Sequence, residues 1–195
     1  MSISTKYVSA FIYNDDHEVQ FIDQATSSVY LFENSSYKIA LFNHDRKLRV
    51  DARISIDSKT IGTFRIPANG KIVIERPTNE ARKFTATRFL PFDLNTGERI
   101  ANPENYGLIE IEAIRESPRR EIVYGVVECD GIRDSICPVR SEGGTEGGTA
   151  ARTMLGEKSK QVYVPAEDIE ADPESRVTLR IYVKIRERFA DITPL

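Results

Sequence analysis

Between Tyr37 and Pro77 the chain alternates apolar and polar residues in four short runs. Tyr37, Ile39 and Leu41 share one parity, and after the charged break from His44 to Lys47 so do Ala52, Ile54 and Ile56. Phe64 and Ile66 follow the Ser58-Lys59 turn, with Ile61 on the opposite parity, and Ile72 and Ile74 follow Pro67-Ala68-Asn69-Gly70. A period of two carried by β-branched residues and broken by Asn, Asp, Gly and Pro predicts a β-meander.

The same pattern recurs on both sides of the meander. Residues 1–35 read as an N-terminal arm or as added strands, with strand candidates at Tyr7–Tyr13, His17–Ile22 and Val29–Phe32. Such an arm either joins its own sheet or pairs with a neighbouring subunit, because an unpaired strand edge is an interaction surface. Further on, Lys83–Phe89, Leu108–Ile114 and Gln161–Val164 read as strands, and Ile122–Val127 is apolar on both parities, as a strand covered on both faces is. The last strand is the most regular. Val177, Leu179, Ile181, Val183 and Ile185 face inward, while Thr178, Arg180, Tyr182, Lys184 and Arg186 face out. About ten strand candidates without an amphipathic helix predict an all-β fold, an antiparallel, jelly-roll-like β-sandwich over residues 36–195. Its core is expected to gather Ile54, Ile56, Phe64, Ile111, Leu179, Ile181 and Val183.

Three stretches break the alternation. Residues 141–160 open with two Gly-Gly pairs and predict a long, mobile, glycine-rich loop in which Met154 and Leu155 are the large apolar anchors. Gly156-Glu157-Lys158-Ser159 within it lacks the spacing of a phosphate-binding loop. Asp93 to Glu104 has the length of a calcium loop, but its glycine falls one place early, so the segment reads as an Asx turn. Residues 166–174 read as a solvated acidic loop.

Composition narrows the chemistry. The chain has 195 residues, a net charge of −3 and 40% hydrophobic content, enough for one domain with a core that needs no metal or disulfide staple. Its basic clusters are interleaved with acids, which argues against direct nucleic-acid binding. It lacks the roughly 18-residue apolar run of a membrane span and has no apolar leader at the N-terminus, so synthesis in a cytoplasm is expected. Cys129 and Cys137 flank a short polar segment and are either bridged across a hairpin or reduced; they lack a zinc-ligand spacing. His17 and His44 fall in no metal motif, a G-x-S-x-G elbow is absent, and Glu110 and Glu112 read as a wetted strand face. The chain is therefore expected to carry no catalytic residues, no metal and no cofactor, and to be no enzyme. It has no tryptophan, so a glycan-binding face would have to stack sugars on tyrosine or phenylalanine.

The segment from Tyr37 to Pro77 carries a resemblance. Its residues Tyr37, Ile39, Leu41, Asn43 and Arg46, then Asp51, Ala52, Ile54, Ile56, Asp57, Lys59, Ile61, Gly62 and Phe64 to Pro67, then Ile72 and Ile74 to Pro77, form a spaced motif. Together with Met154 to Gln161 and the final strand, the motif resembles a small β-sandwich domain of proteins from tailed phages, large DNA viruses and some bacteria. The likeness spans about residues 36–190. Its motifs are structural, which implies a scaffold. The expectation is a virion structural protein, a minor capsid, decoration or fibre-associated β-sandwich located in the virion, which associates with itself and with other virion proteins. The alternative is a module that binds glycans or a cell surface. Tyr7, Phe11 and Tyr13 of the arm and Met154 and Leu155 of the loop are the candidate contact residues. Where the motif commonly has Asp-Gly, this chain has Asp57-Ser58, which weakens the signal for a tight two-residue primed turn.

Overall fold

Strands with one apolar face must bury it, and two sheets do so by packing those faces together. The computed structural model describes residues 2–90, 105–118 and 148–186. Among the described residues thirteen strands run in chain order: β1 (Ile3–Ser4), β2 (Val8–Asn14), β3 (Val19–Gln20), β4 (Ile22–Asp23), β5 (Ser28–Leu31), β6 (Ser36–Asn43), β7 (Val50–Ile56), β8 (Lys59–Ile66), β9 (Lys71–Ile74), β10 (Arg82–Arg88), β11 (Leu108–Glu116), β12 (Gly148–Lys158) and β13 (Ala171–Arg186). The described residues contain no α-helix. The fold is all-β, with two sheets packed as in a sandwich.

The first sheet runs β1-β2-β6-β10-β12, with β3 on the edge of β2 and β9 alongside β6. The second runs β4-β5-β13-β11-β7-β8. Its strands pair antiparallel except β5, which lies parallel to β13 with Val29 opposite Val183. β12 belongs to both sheets. Residues 148–150 pair with Lys184–Arg186 of β13, and from Ala151 to Lys158 the same strand pairs with β10.

Residues 2–35 supply β1 to β5, so this part of the chain lies within both sheets. Val8, Ala10 and Ile12 of β2 and Val29 and Leu31 of β5 belong to the core. The core itself follows the parity read from the sequence. Ile54, Ile56, Phe64, Ile111, Leu179, Ile181 and Val183 are all buried in one cluster. The ladder explains why: Ile109, Ile111 and Ala113 of β11 stand opposite Ile181, Leu179 and Val177 on one side and Ile56, Ile54 and Ala52 on the other.

Ile61 is also buried, although its parity is opposite to that of Phe64 and Ile66. A bulge resolves the conflict. Ile54 pairs with Gly62 and the next residue, Ser55, pairs with Thr60, so Ile61 has no partner opposite and turns to the core. Gly62 adopts φ 147° there, and a Cβ on it would lie 2.5 Å from Thr78 Cγ2.

The Asp57-Ser58 pair forms a two-residue turn after all. Ile56 pairs with Lys59, and the two turn residues have φ 50° and 64°, the left-handed pair of a primed hairpin. Asp57 is held there by its own side chain, whose two oxygens accept the N–H groups of Gly107 (2.6 Å) and Thr153 (2.9 Å).

Three predicted segments need correction. The loop expected over residues 141–160 is strand from Gly148 to Lys158; residues 141–147 lie outside the described residues. The first inward residues of β12, Ala151 and Thr153, are small or polar, which hides the alternation: Ala151 is buried, and the Thr153 hydroxyl lies 2.7 Å from that of the buried Tyr37. The strand predicted at Gln161–Val164 has no ladder and is an extended connection, while β13 begins at Ala171, inside the predicted acidic loop. The strand at 122–127, the turn at 93–104 and the cysteines at 129 and 137 all lie outside the described residues.

Ile181 is fully buried at the centre of β13, so Ile181→Ala is expected to cost about 2–5 kcal/mol in chemical denaturation. An unchanged transition would refute the inward parity of β13. Ser58→Gly relieves a left-handed serine at the cost of extra chain entropy, so it is expected to raise stability by about 0.5–1 kcal/mol in the same assay.

Candidate interaction surface

A sandwich of two open sheets leaves a gap where their edges meet, and the strands at that gap carry unpaired backbone groups. Here the gap lies between β9 of the first sheet and β8, the last strand of the second. The connection from β12 to β13, residues 159–170, crosses it as a strap.

The strap is secured by side chains rather than by a ladder. Ser159 N–H donates to the Ala81 carbonyl (2.9 Å), and its hydroxyl hydrogen-bonds the Glu75 carboxylate. Gln161 then takes the place of a strand neighbour for β9. Its amide N–H donates to the Val73 carbonyl (2.6 Å), and its oxygen accepts Glu75 N–H (3.0 Å). One glutamine thus satisfies two backbone groups of this edge, one in β9 and one just past its end.

Tyr163 comes next and faces inward. Its ring meets Phe64 of β8 edge-on at 5.3 Å, and the Arg76 guanidinium covers it at 4.4 Å from the ring centre. Its hydroxyl donates to the Arg76 carbonyl (2.7 Å). Arg76 completes the clasp by donating Nε–H to the Gln161 carbonyl (2.9 Å). Burial pushes the Tyr163 phenol up to about 12, against the pull of Arg76. Beyond Tyr163, Arg65 holds Asp51 with two bonds of 2.8 Å and donates a third to the Glu167 carbonyl. Ser117 N–H donates to the Glu170 carbonyl (2.7 Å), where the strap enters the second sheet.

With Gln161 and Tyr163 turned in, Val162 and Val164 turn out, and they are 80% and 82% exposed. Beside them runs a groove of about 630 Å³, lined by Phe64, Ile72, Val73, Tyr163, Val164 and Pro165 among others. This is an apolar strip on the surface.

The five predicted contact residues fall elsewhere. Tyr7 is a core residue, 5% exposed, with its hydroxyl donating to the carbonyls of Ala113 and Ser175. It joins the first sheet to the second and leaves no surface for a partner, which corrects its expected role. Phe11 and Tyr13 are half-buried on β2, and the Tyr13 hydroxyl accepts a bond from Lys71 Nζ (2.7 Å). Met154 is 51% exposed on the outer side of β12. Leu155 is half-buried opposite Phe84 and lines a cavity of about 230 Å³ with Asp57 and Tyr106. The structure therefore does not bring these five together into one surface.

The strap was missed because Gln161-Val162-Tyr163-Val164 alternates polar or aromatic residues with valines, as a strand does. The polar neighbours on either side were the available signal, since a buried strand is not ordinarily flanked by lysines at 158 and 160 and acids at 167 and 168.

Compared with protein-family models, with curated proteins and with solved structures, the chain finds no match.

Gln161→Ala and Tyr163→Phe are each expected to loosen the strap. Hydrogen exchange at Val73, Glu75 and the strap should quicken, with the β7–β11–β13 core unchanged. Equal exchange in variant and parent would refute the clasp. The sign with pH follows from the phenol. An unfolded tyrosine ionises near 10, whereas Tyr163 in the fold ionises near 12. The contribution is whole below pH 10 and falls away as the pH rises from 10 toward 12. The stability advantage of the parent over Tyr163→Phe should shrink across that interval.

Proposed function

We propose that this chain is a structural assembly protein of a virus particle: a jelly-roll-like β-sandwich that associates with copies of itself and with other virion proteins. It acts by binding and not by catalysis, is made in the host cytoplasm and resides in the virion, with no direct hold on nucleic acid. The observation that carries the reading is the outward apolar strip of the strap, where two valines at 80% and 82% exposure sit beside an apolar groove. Contiguous exposed apolar surface marks sites of protein association. The virion setting rests on the resemblance of the Tyr37–Pro77 motif to phage and viral β-sandwich domains. The jelly-roll-like class draws support from the path of the chain, which passes back and forth between the sheets: β6 in the first, β7 and β8 in the second, β9 and β10 in the first, β11 in the second.

A second reading, a glycan-binding module, draws on the outer face of the second sheet. A polar groove of about 580 Å³ runs there, lined by Arg53, Glu110, Glu112, Arg180 and Tyr182 among others. Arg180 Nε donates to Glu110 at 2.8 Å, so the groove offers fixed polar groups beside a half-buried tyrosine.

Light scattering on the purified chain separates the two. A mass that rises with concentration, together with co-sedimentation with particles, is the outcome expected for the assembly reading. A monomer throughout that binds sugars on a glycan array, and loses them in Glu110→Ala, would replace it with the second.

A further inference from the structure

The strap has a charge polarity as well as an apolar strip. Lys158, the last residue of β12, and Lys160 of the strap lie before the valines, and Glu167 and Asp168 after them. All four are exposed, and none enters an ion pair among the described residues. The basic end, the apolar middle and the acidic end follow one another along a single extended segment.

A surface of this kind complements itself. Set two straps antiparallel about a two-fold axis through Tyr163, and Val162 of each copy meets Val164 of the other. Lys158 then stands opposite Asp168, and Lys160 stands opposite Ala166 with the partner's Asp168 on one diagonal and its Val164 on the other. Each contact occurs twice, as a two-fold interface requires. A parallel arrangement would put lysine on lysine and acid on acid. A partner of a single charge sign would match one end and repel the other, and an anionic lipid surface would repel the acidic end.

We propose that the strap is the face through which two copies of this chain pair antiparallel, the four valines packing at the centre and the lysines of each copy reaching the acids of the other. The proposal rests on the assembly reading and names its surface. Because Gln161, Tyr163 and Arg76 hold the strap from behind, the surface is presented rigid and pays little ordering entropy on contact. The strip is small, so the pair is weak and depends on concentration.

The experiment uses the full chain and three charge states of the strap. Sedimentation equilibrium is run over roughly 5 µM to 500 µM, the range in which small interfaces exchange. The parent should pass from monomer to dimer, less readily in high salt, which screens exposed pairs. The double variant Lys158→Glu with Lys160→Glu has acids at both ends, and Glu167→Lys with Asp168→Lys has bases at both ends. Each should remain monomeric alone, and an equal mixture of the two should form a heterodimer at least as tight as the parent. Recovery in the mixture excludes misfolding as the cause of loss. Val162→Asp with Val164→Asp should stay monomeric in every mixture. A parent that dimerises while both charge variants dimerise equally well alone overturns the strap as the interface and leaves self-association standing. A mixture that stays monomeric overturns the antiparallel pairing. A parent that is monomeric up to 500 µM overturns this proposal and the assembly reading together.

Discussion

The Asp57 carboxylate is the constraint on which the two-sheet arrangement turns. One oxygen accepts Gly107 N–H at the start of β11, and the other accepts Thr153 N–H in β12, just past the point where that strand leaves the second sheet for the first. Gly107 closes the corner, since its carbonyl accepts Val183 N–H at 2.7 Å and its φ is 78°. A Cβ at Gly107 would fall 2.5 Å from the Val183 carbonyl and 2.9 Å from that of Ala151. Burial raises the Asp57 carboxyl above its ordinary value, and the two N–H bonds oppose that shift by favouring the ionised form. Desolvation outweighs the two bonds, so they act by fixing where the carboxylate sits, and with it the left-handed geometry of the turn.

The loops at the opposite end use the same device with an amide. Asn43 is fully buried, donates to the carbonyls of Leu48 (2.8 Å) and Pro67 (3.0 Å), and accepts Asp45 N–H (2.9 Å). It ties the β6–β7 connection to the β8–β9 turn, so both sheets are joined through a side chain. Nearby, Arg115 reaches Asp45 (3.2 Å) and Asp172 (3.6 Å), and Arg49 holds Glu116 with bonds of 2.9 and 2.6 Å. These pairs are partly exposed and each contributes little, but they join strands distant in sequence. Polar side chains thus complete what the ladders leave open at each end of the sandwich.

How legible this was depends on where the inward residues are large. β7, β11 and β13 carry isoleucine, leucine and valine at alternate positions, and their faces could be read directly. β12 could not, because Ala151 and Thr153 give no apolar period and the Gly-Gly pairs before them suggest a loop. Ile61 lost its parity to a bulge, a feature that shifts the face without changing composition. The Asp57 turn looked unfavourable because the groups that hold it, Gly107 and Thr153, are 50 and 96 residues away. Tyr7 looked like an arm residue for the same reason: its acceptors are at Ala113 and Ser175. The strap inverted the ordinary rule, with polar residues inside and valines outside, because its inner face meets a strand edge that needs hydrogen bonds more than it needs apolar cover.

That inversion links edge protection to surface chemistry. An amide and a phenol are well suited to cap the backbone groups of β9 and Arg76, and in an extended chain each inward residue forces its neighbours outward. Once Gln161 and Tyr163 are committed to the edge, positions 162 and 164 must face solvent, and valine there adds nothing to the fold's own core. The clasp draws on both sheets, through Val73, Glu75 and Arg76 on one side and Phe64 and Arg65 on the other. The outward valines are therefore aligned only when the sandwich is closed. Any partner that binds them selects the folded chain and stabilises it by mass action. Protection of the sheet edges and presentation of the strip are two results of one set of hydrogen bonds.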